Sequence, residues 1–348
     1  MKLVILYLLL HLLHIHQVTS AENCNFFNGS WVFDSSYPHY NSTTCPFIEH
    51  VFNCQRNGRP DEMYLKYRWQ PQDCQLQRFC GSDFLLRFKG KSIMFVGDSL
   101  SRNQYQSLLC LLYTSMPGIK YKEMRSGDIS VVHFLDYEVQ VKLDRNLFLV
   151  DVARDKDKIG RVLVLDSVAG KARHWLVNDV LVFNTFAWWG RRRSKQPWDF
   201  IKLGDKIMKD MDRLAALETG LTTWARWADA AVNPNKTRVF FQTLSPAHYN
   251  GSEWDEPHTR NCGRETKPVL GSIYHGNLPW GLGIQKKILS KIKNPAFKLF
   301  DITHLSQFRK DAHPSAYGEF GRTGMDCLHW CVAGVTDAWN EILYNIFL

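Results

Sequence analysis

The stretch that decides the fold is Ile93-Met94-Phe95-Val96-Gly97-Asp98-Ser99-Leu100-Ser101, an apolar run that ends in Gly-Asp-Ser. Such a run predicts a buried parallel strand, which would deliver Ser99 to the carboxyl edge of a sheet, where open α/β folds bind their ligands. A helix-like segment follows, and its free N–H groups and positive dipole end would point at the same place. Ser99 is therefore a candidate nucleophile. In the alternative interpretation, this is only a strand-to-helix turn in which Asp98 or Ser99 caps the helix.

Strand and helix patterns alternate from about residue 90 onward. The predicted strands are Ser92–Val96, Ser130–Phe134, Val139–Leu143, Leu147–Val152, Val162–Leu165, Val180–Asn184, Arg238–Thr243 and Phe297–Ile302. The predicted helices are Arg102–Tyr113, Leu203–Ala228, Ile284–Ile292 and Asp337–Ile346. Long or helical connections separate the strands that begin at residues 92, 180, 238 and 297, which favours a parallel sheet covered on both faces. The closely spaced strands between residues 130 and 165 predict an antiparallel insertion.

The N-terminus has the pattern of an export signal. Lys2 precedes an apolar run that extends to Leu13, and Thr19-Ser20-Ala21 is a candidate cleavage site. Because a membrane span needs about 20 apolar residues, we expect residues 1–21 to be a cleaved signal peptide. An uncleaved anchor, which would be the chain's link to a membrane, is the alternative. Four N-glycosylation sequons agree with export, and they begin at Asn28, Asn41, Asn235 and Asn250.

Nine cysteines behind an export signal predict disulfides, since thiols oxidise in the secretory pathway. The odd number leaves at least one cysteine without a partner in the chain. A zinc site built from Cys327, His329 and Cys331 is disfavoured, because three donors so close together rarely complete a tetrahedral site, and we expect no metal. Residues 22–85 are loop-rich and rich in cysteine. This composition predicts that residues 22–85 form an N-terminal subdomain stapled by disulfides. A catalytic domain would follow at residues 86–348.

The composition is that of a globular protein. Hydrophobic residues make up 45% of the 348 residues, and the formal net charge is +9. A positive charge suggests an acidic partner, but an anionic polysaccharide or simple solubility explains it as well as nucleic acid does. No nucleic-acid-binding motif is present in the sequence. We therefore expect no nucleic-acid partner.

A nucleophilic serine needs a histidine within hydrogen-bond reach and a group that orients this histidine. The three Asp-x-x-His segments of the chain are Asp255–His258, Asp301–His304 and Asp326–His329. We favour the last, because Cys327 and Cys331 flank His329 and disulfides through them would hold its loop in place. Asp326 would then accept from Nδ1 of His329 and leave Nε2 to deprotonate Ser99. The alternative is a histidine with a structural role only.

Several long motifs resemble those of one family. The two richest are Phe95–Gln104, which contains Gly-Asp-Ser, and Asp326–Cys331, which contains Asp-x-x-His. The others are Tyr67–Pro71, Asp179–Thr185 with Trp188-Trp189, Ser245-Pro246 through Glu253-Trp254, Asp311–Ser315, Gly334-Val335 and Asp337–Glu341. In these motifs, spread over residues 24–348, the chain resembles the plant trichome birefringence-like family, whose catalytic domain is similar to the GDSL/SGNH esterases. It is most similar to the branch associated with pectin acetylation and powdery-mildew resistance.

The resemblance implies an α/β fold, namely an SGNH-hydrolase-like three-layer sandwich with a central, mostly parallel sheet, plus the disulfide-stapled N-terminal subdomain. It implies that Ser99 is the nucleophile, His329 the base and Asp326 its orienting partner. The expected oxyanion and substrate residues are Gly97, Asp98, Arg102 and Asn184. The implied disulfides are Cys24–Cys74, Cys45–Cys110, Cys54–Cys331 and Cys262–Cys327, which leave Cys80 free. The chain departs from the family in having Phe186-Ala187, where Gly-His often precedes the paired tryptophans. This departure would alter the choice of acceptor or reduce activity.

The implied function is a polysaccharide O-acetyltransferase of the plant cell wall, in the Golgi lumen or membrane, with secretion to the wall as the alternative. It would need an acetyl donor and a glycan acceptor such as pectin or xylan, and no bound cofactor. Two rival functions remain open on the sequence. One is an acetylesterase, because the same three residues would serve hydrolysis if water reached the site. The other is a non-catalytic wall protein that binds pectin.

Overall fold

The computed structural model describes residues 24–154, 160–192, 195–318 and 324–348. The predicted export signal, residues 1–21, lies outside these ranges. Within them, no helix has both the length and the apolar character needed to cross a bilayer.

The strands and helices are numbered here in chain order. The strands are β1 (Gly29–Phe33), β2 (Tyr67–Pro71), β3 (Ser92–Gly97), β4 (Tyr121–Ser126), β5 (Ile129–Phe134), β6 (Val139–Arg145), β7 (Asp151–Arg154), β8 (Arg161–Val164), β9 (Val180–Phe183), β10 (Phe200–Leu203), β11 (Lys206–Met208), β12 (Arg238–Gln242) and β13 (Phe297–Phe300). The α-helices are α1 (Gly81–Arg87), α2 (Ser99–Ser115), α3 (Ala169–Trp175), α4 (Arg213–Ala231), α5 (Leu282–Leu289), α6 (Thr303–Gln307) and α7 (Val335–Phe347). Short 3-10 helices lie at Ser42–Thr44, His50–Phe52, Met63–Lys66, Gly251–Trp254 and Lys310–Ala312.

A seven-stranded sheet positions the site, with the spatial order β13-β12-β9-β3-β6-β5-β4. The five strands from β13 to β6 are mutually parallel, and β5 and β4 continue the sheet in antiparallel pairing. The chain runs outward from β3 in both directions, first to β6 and later to β9. Loops therefore leave the carboxyl ends of β3 and β9 in opposite directions and open a crevice there. The predicted α/β fold with a mostly parallel central sheet is confirmed.

The two faces of the sheet are covered by different helices, because alternate residues of a strand point to opposite sides. Ile93 and Phe95 of β3 pack in a core cluster with α2, α7 and the N-terminal segment. Met94 and Val96 pack on the other face with α3, α4 and α5. These two clusters make the predicted three-layer arrangement.

Two details of the predicted topology are wrong. Strand β6 pairs antiparallel with β5 as predicted, but it also pairs in parallel with β3 from Gln140 to Arg145, so it belongs to the central sheet and not to an insertion. The helix predicted over Leu203–Ala228 begins only at Arg213, where Asp212 caps it by accepting from the N–H of Ala215 at 2.9 Å. Gly204, with φ of 57°, makes a tight turn between β10 and β11 instead. These two strands belong to a second, four-stranded sheet with the order β11-β10-β8-β7.

The N-terminal segment is packed against the main domain and shares its core. Its ribbon of β1 and β2 is held by Trp31, whose Nε1 donates to the carbonyl of Leu305 at 2.7 Å. The hydroxyl of Tyr40 donates to Oδ1 of Asp337 at 3.0 Å. Because these partners lie in α6 and α7, the segment completes the face of the sheet that carries α2.

The disulfides join the N-terminal segment and the C-terminal loops to the sheet. They pair Cys24 with Cys74, Cys45 with Cys110, Cys54 with Cys331, and Cys262 with Cys327, as the family resemblance implies. Cys80 is unpaired and exposed. Of the four sequon asparagines, Asn41, Asn235 and Asn250 are exposed. Asn28 is half-buried, and its Nδ2 donates to Gln72 at 3.2 Å. Glycosylation at these positions stays a prediction.

Candidate active site

Ser99 is the first residue of α2, directly beyond the carboxyl end of β3. The residues of β3 are all buried, and the chain turns directly after the strand. Asp98 makes this turn, because its Oδ1 accepts from the N–H of Leu100 at 2.9 Å and caps the helix. Ser99 therefore lies at the positive end of a 17-residue helix, at the crevice between β3 and β9.

The structure brings His329 to Ser99 across 230 residues of sequence. Nε2 of His329 lies 2.7 Å from Oγ of Ser99, and its Nδ1 lies 2.7 Å from Oδ2 of Asp326. With Asp326 accepting from Nδ1–H, Nε2 is free to take the serine proton. This is the geometry of a serine nucleophile, a base and a carboxylate that orients the base.

Local hydrogen bonds and one disulfide fix Asp326. Its Oδ1 accepts from the N–H groups of Leu328 and His329 at 3.2 and 3.1 Å. Its backbone exchanges two hydrogen bonds with Ser315, and the next residue is the disulfide-bonded Cys327. Burial by itself raises the pKa of Asp326, but the hydrogen bonds and charge of His329 outweigh burial and hold this pKa below its usual range.

Asn184 follows β9 and contacts the residues on either side of Ser99 from across the crevice. Its Oδ1 accepts from the N–H of Asp98 and from Oγ of Ser101, both at 3.2 Å. Since its oxygen is engaged, the Nδ2 group is the part of the Asn184 side chain that can donate to a further partner. A Cβ at Gly97 would lie 2.5 Å from the backbone and side-chain oxygens of Asn184, so this close approach needs glycine.

Asp98 has a positioning role in addition to the cap. It is buried, and its Oδ2 accepts from the N–H groups of Phe186 at 3.4 Å and Ala187 at 3.2 Å. Burial raises the pKa of Asp98, and the three N–H donors act against this rise. Phe186 and Ala187 are thus tied through their backbones to the turn before Ser99.

Arg102 lies one helical turn after Ser99 and reaches toward the N-terminal segment. Its Nη1 lies 2.9 Å from Oε2 of Glu49, and its guanidinium lies 5.0 Å from the ring of Phe52. The same ring lies 5.4 Å from the ring of His329. Arg102 therefore forms an ion pair with Glu49 at the edge of the site.

The two other Asp-x-x-His segments lie away from Ser99. His258 is exposed. His304 packs against Phe308 at 5.0 Å between ring centres, and Asp301 forms an ion pair with Lys286 at 2.6 Å. Of the three segments, only Asp326–His329 makes a described contact with the serine.

Comparisons with known proteins identify the family of this chain. Residues 76–346 match the family model described as the GDSL/SGNH-like acyl-esterase family found in Pmr5 and Cas1p, and residues 22–75 match the PMR5 N-terminal domain. The chain belongs to this family. It is 54% identical to trichome birefringence-like protein 41 of Arabidopsis thaliana over 342 residues, which cover 98% of this chain and 94% of the relative. It is 49% identical to trichome birefringence-like protein 40 of the same plant over 326 residues, which cover 94% and 88%.

Membership of the acyl-esterase family implies acyl transfer or ester hydrolysis as the chemical class. A serine acting in this class needs its base held rigidly. Asn103, which the sequence did not single out, supplies one restraint. Its Nδ2 donates to the carbonyl of Trp330 and its Oδ1 accepts from the N–H of Trp330, both at 2.9 Å. Asn103 lies in the predicted helix Arg102–Tyr113, and a helix that began at Ser99 would place both residues on one face, so this spacing was the signal that could have found it.

A cavity of about 420 Å³ adjoins the site of this acyl-esterase family member. Leu328, next to the base, and Ala187 line it on the side of the catalytic turn. The rings of Phe186 and Trp280 lie 4.7 Å apart on another wall, and Trp280 is 46% exposed. A larger cavity of about 610 Å³ includes Val180 and Arg238, at the amino ends of β9 and β12, so it lies at the opposite edge of the sheet from Ser99.

Proposed function

We propose that this chain is a polysaccharide O-acetyltransferase of the plant secretory pathway, which transfers acetyl groups from a donor to hydroxyls of pectin or of a hemicellulose such as xylan. The observation that carries the proposal is the unbroken chain from Oγ of Ser99 through His329 to Asp326, with 2.7 Å at each step. Family membership supports the acyl chemistry, and the resemblance to the pectin-acetylating branch supports the acceptor class.

In the first half-reaction Oγ of Ser99 attacks the acetyl carbonyl, while Nε2 of His329 takes the hydroxyl proton. The resulting oxyanion accepts hydrogen bonds from the N–H of Ser99 and from Nδ2 of Asn184. His329 then gives the proton to the leaving oxygen of the donor, and an acetyl-serine remains. A direct contact from Arg102 would require its ion pair with Glu49 to open, so its proposed contribution is mainly the positive charge near the site.

In the second half-reaction a sugar hydroxyl gives its proton to His329 and attacks the acetyl-serine. The collapse of the second tetrahedral intermediate returns the proton to Ser99 and releases the acetylated glycan. Transfer instead of hydrolysis requires that the sugar hydroxyl reaches the acetyl-serine before water does.

The acceptor would bind in the cavity beside Leu328. Phe186 and Trp280 offer an apolar surface for the C–H face of a sugar ring, and Ser245, Asn277 and Gln307 offer polar groups to its hydroxyls. Phe186 belongs to the departure from the family pattern. We therefore propose that this departure shapes the acceptor preference and leaves the acyl chemistry unchanged.

The deciding experiment combines the secreted protein with an aryl acetate donor and with pectin, xylan or mannan oligosaccharides. We expect intact-mass spectra to show an acetyl adduct on Ser99, and acetylated oligosaccharide to form faster than free acetate. The Ser99→Ala variant is the control for background transfer. Release of acetate with no acceptor product would instead identify an esterase, and binding of pectin with no acetyl adduct would identify a binding protein.

A further inference from the structure

A pair of buried imidazoles lies behind the loop that carries His329. Nδ1 of His313 lies 2.7 Å from the carbonyl oxygen of His329, and its Nε2 lies 2.6 Å from Nδ1 of His248. Nε2 of His248 lies 2.8 Å from the backbone carbonyl oxygen of Gln307. Both rings are at most 1% exposed. The mechanism above gives neither ring a role.

This chain of contacts requires more hydrogens than two neutral rings carry. Both of its ends are carbonyl oxygens, which only accept, so His313 has to donate from Nδ1 and His248 from Nε2. A neutral imidazole has one N–H and one lone pair. Two neutral rings would therefore place the lone pairs of His248 Nδ1 and His313 Nε2 against each other at 2.6 Å. One additional proton between these nitrogens gives all three contacts a hydrogen.

We propose that His248 and His313 are positioning residues for His329, and that they share one proton between Nδ1 of His248 and Nε2 of His313. They act through the backbone of His329 and not on the substrate. The inference rests on the proposed role of His329 as the base.

The surroundings both oppose and favour this charge. Burial opposes it most, since it lowers the pKa of His248 to about 4 and that of His313 well below its usual range. The positive charges of Arg59 and Lys310 act in the same direction, whereas the carboxylate of Asp326 favours a proton on His313. Burial dominates and the pKa of each ring is lowered, so the shared proton is inferred from the 2.6 Å contact between Nδ1 of His248 and Nε2 of His313 and not from these shifts.

The ring of Trp330 also favours the shared proton. It stacks on His313 with 4.1 Å between ring centres and 22° between planes. The face of an indole attracts a cation above it. Because Trp330 is also held by Asn103, the stacked pair joins α2 to the loop of His329.

The proposal has a consequence with a definite sign. Below the pKa of the pair, all three hydrogen bonds form and the carbonyl of His329 is fixed. Above it, one bond is lost and the loop loosens, so kcat declines as the pH rises. KM for the acceptor should change less than kcat, because the pair donates hydrogen bonds only to the backbone carbonyls of Gln307 and His329 and to no side chain that lines the cavity beside Leu328.

The kinetic test compares two variants at one position. In His248→Gln, a single amide nitrogen offers two N–H groups and does not titrate, so we expect most of kcat to remain and the decline of kcat with rising pH to disappear. In His248→Ala the chain of hydrogen bonds is cut, and we expect kcat to fall on the order of tenfold at every pH, with a smaller change in KM. A wild-type pH profile in His248→Gln would overturn the proposal, even if both variants melted at lower temperature.

A second test needs no activity, so it separates this inference from the proposed function. In the full secreted protein labelled with ¹⁵N-histidine, we expect one far-downfield N–H proton that disappears in His248→Gln and in His313→Gln. The same signal should persist in His329→Ala, which removes the contact of Nδ1 of His329 with Asp326, a second possible source of a downfield proton. Neutral spectra for both imidazoles over the whole pH range of the folded protein would refute proton sharing.

Discussion

At the residue scale, the environment of Asp326 sets up the chemistry of the site. Burial raises the pKa of Asp326, but hydrogen bonds from the side chain and backbone of His329 lower it by more than burial raises it. This carboxylate therefore stays ionised at neutral pH. An ionised Asp326 accepts from Nδ1 of His329 and keeps the unprotonated Nε2 directed at Ser99. Asp98, which is buried to a similar extent, has its pKa raised instead and serves the turn.

The first prediction concerns the nucleophile. Ser99→Ala removes only the hydroxyl, at a helix start that Asp98 caps, so the fold should persist. We expect turnover to fall on the order of a thousandfold or more, as in other sites of this type. Turnover and the acetyl adduct by mass spectrometry are the measurements. A variant with near-normal turnover would eliminate Ser99 as the nucleophile.

The second prediction separates the three histidines of the Asp-x-x-His segments. His329→Ala should abolish acetyl transfer, because no other described side chain accepts from Ser99. His258→Ala and His304→Ala should keep measurable transfer, since one side chain is exposed and the other packs on Phe308. Parallel assays of the three purified variants decide the matter. Loss of transfer in His304→Ala with a normal melting temperature would contradict the assignment.

At the scale of elements, the junction of β3, α2 and β9 brings together the proposed nucleophile and the proposed oxyanion donors. Each element contributes one residue at its end. Asp98 follows β3 and caps the helix, Ser99 begins α2, and Asn184 follows β9. Gly97 allows this close packing because it has no Cβ. The junction therefore depends on backbone contacts more than on side-chain volume.

The third prediction is that Gly97→Ala damages stability and turnover together. The new Cβ would lie 2.5 Å from Oγ of Ser101 and from two oxygens of Asn184, so the junction has to shift. Overpacking of this kind costs about 1–3 kcal/mol. The control is Gly283→Ala in α5, where the new Cβ meets no described atom within 4 Å. It should stabilise the protein by up to ~1 kcal/mol. Thermal unfolding and turnover are measured for both, and unchanged turnover in Gly97→Ala would refute the argument.

At the scale of the whole molecule, the disulfides hold the loop of the base. The Cys54–Cys331 bridge joins residues 277 apart and ties the N-terminal segment to the loop two residues after His329. Arg59 reinforces this contact, because its guanidinium donates to the carbonyl oxygens of His313 and Asp311. The N-terminal segment is thus part of the support of the site.

The fourth prediction compares two disulfides. The Cys54→Ala/Cys331→Ala double variant should lose roughly 2–5 kcal/mol of unfolding free energy. It should also lose turnover well below its melting temperature, because the loop of His329 loosens. The Cys24→Ala/Cys74→Ala variant removes a bridge 50 residues apart, away from the loop, and should lose stability alone. If turnover and melting temperature fell in parallel in both variants, the bridges would only stabilise the fold. Peptide mapping that found Cys327 and Cys331 as free thiols in active protein would remove the basis of this argument.

The sequence by itself determined the features that short-range interactions control. The strand, the Gly-Asp-Ser turn and α2 follow from an apolar run and a capping residue that are contiguous in the chain. The contact between Asp326 and His329 spans three residues, so a tight turn is enough to form it. The error in the predicted helix start at Leu203 also has a local cause. Gly204, with its positive φ, makes a turn there that the helical pattern does not reveal.

Only the tertiary structure decided which distant groups meet. The position of β6 beside β3, the approach of Asn184 to Ser101 and the chain through His313 and His248 all join segments far apart in sequence. Such contacts depend on strand order and on how two core clusters pack against the sheet, and no local pattern encodes either. The contact between Ser99 and His329 was expected from the chemistry of a nucleophilic serine and from the family resemblance. Its geometry exists because the fold brings the carboxyl end of β3 and a disulfide-bonded loop to the same crevice.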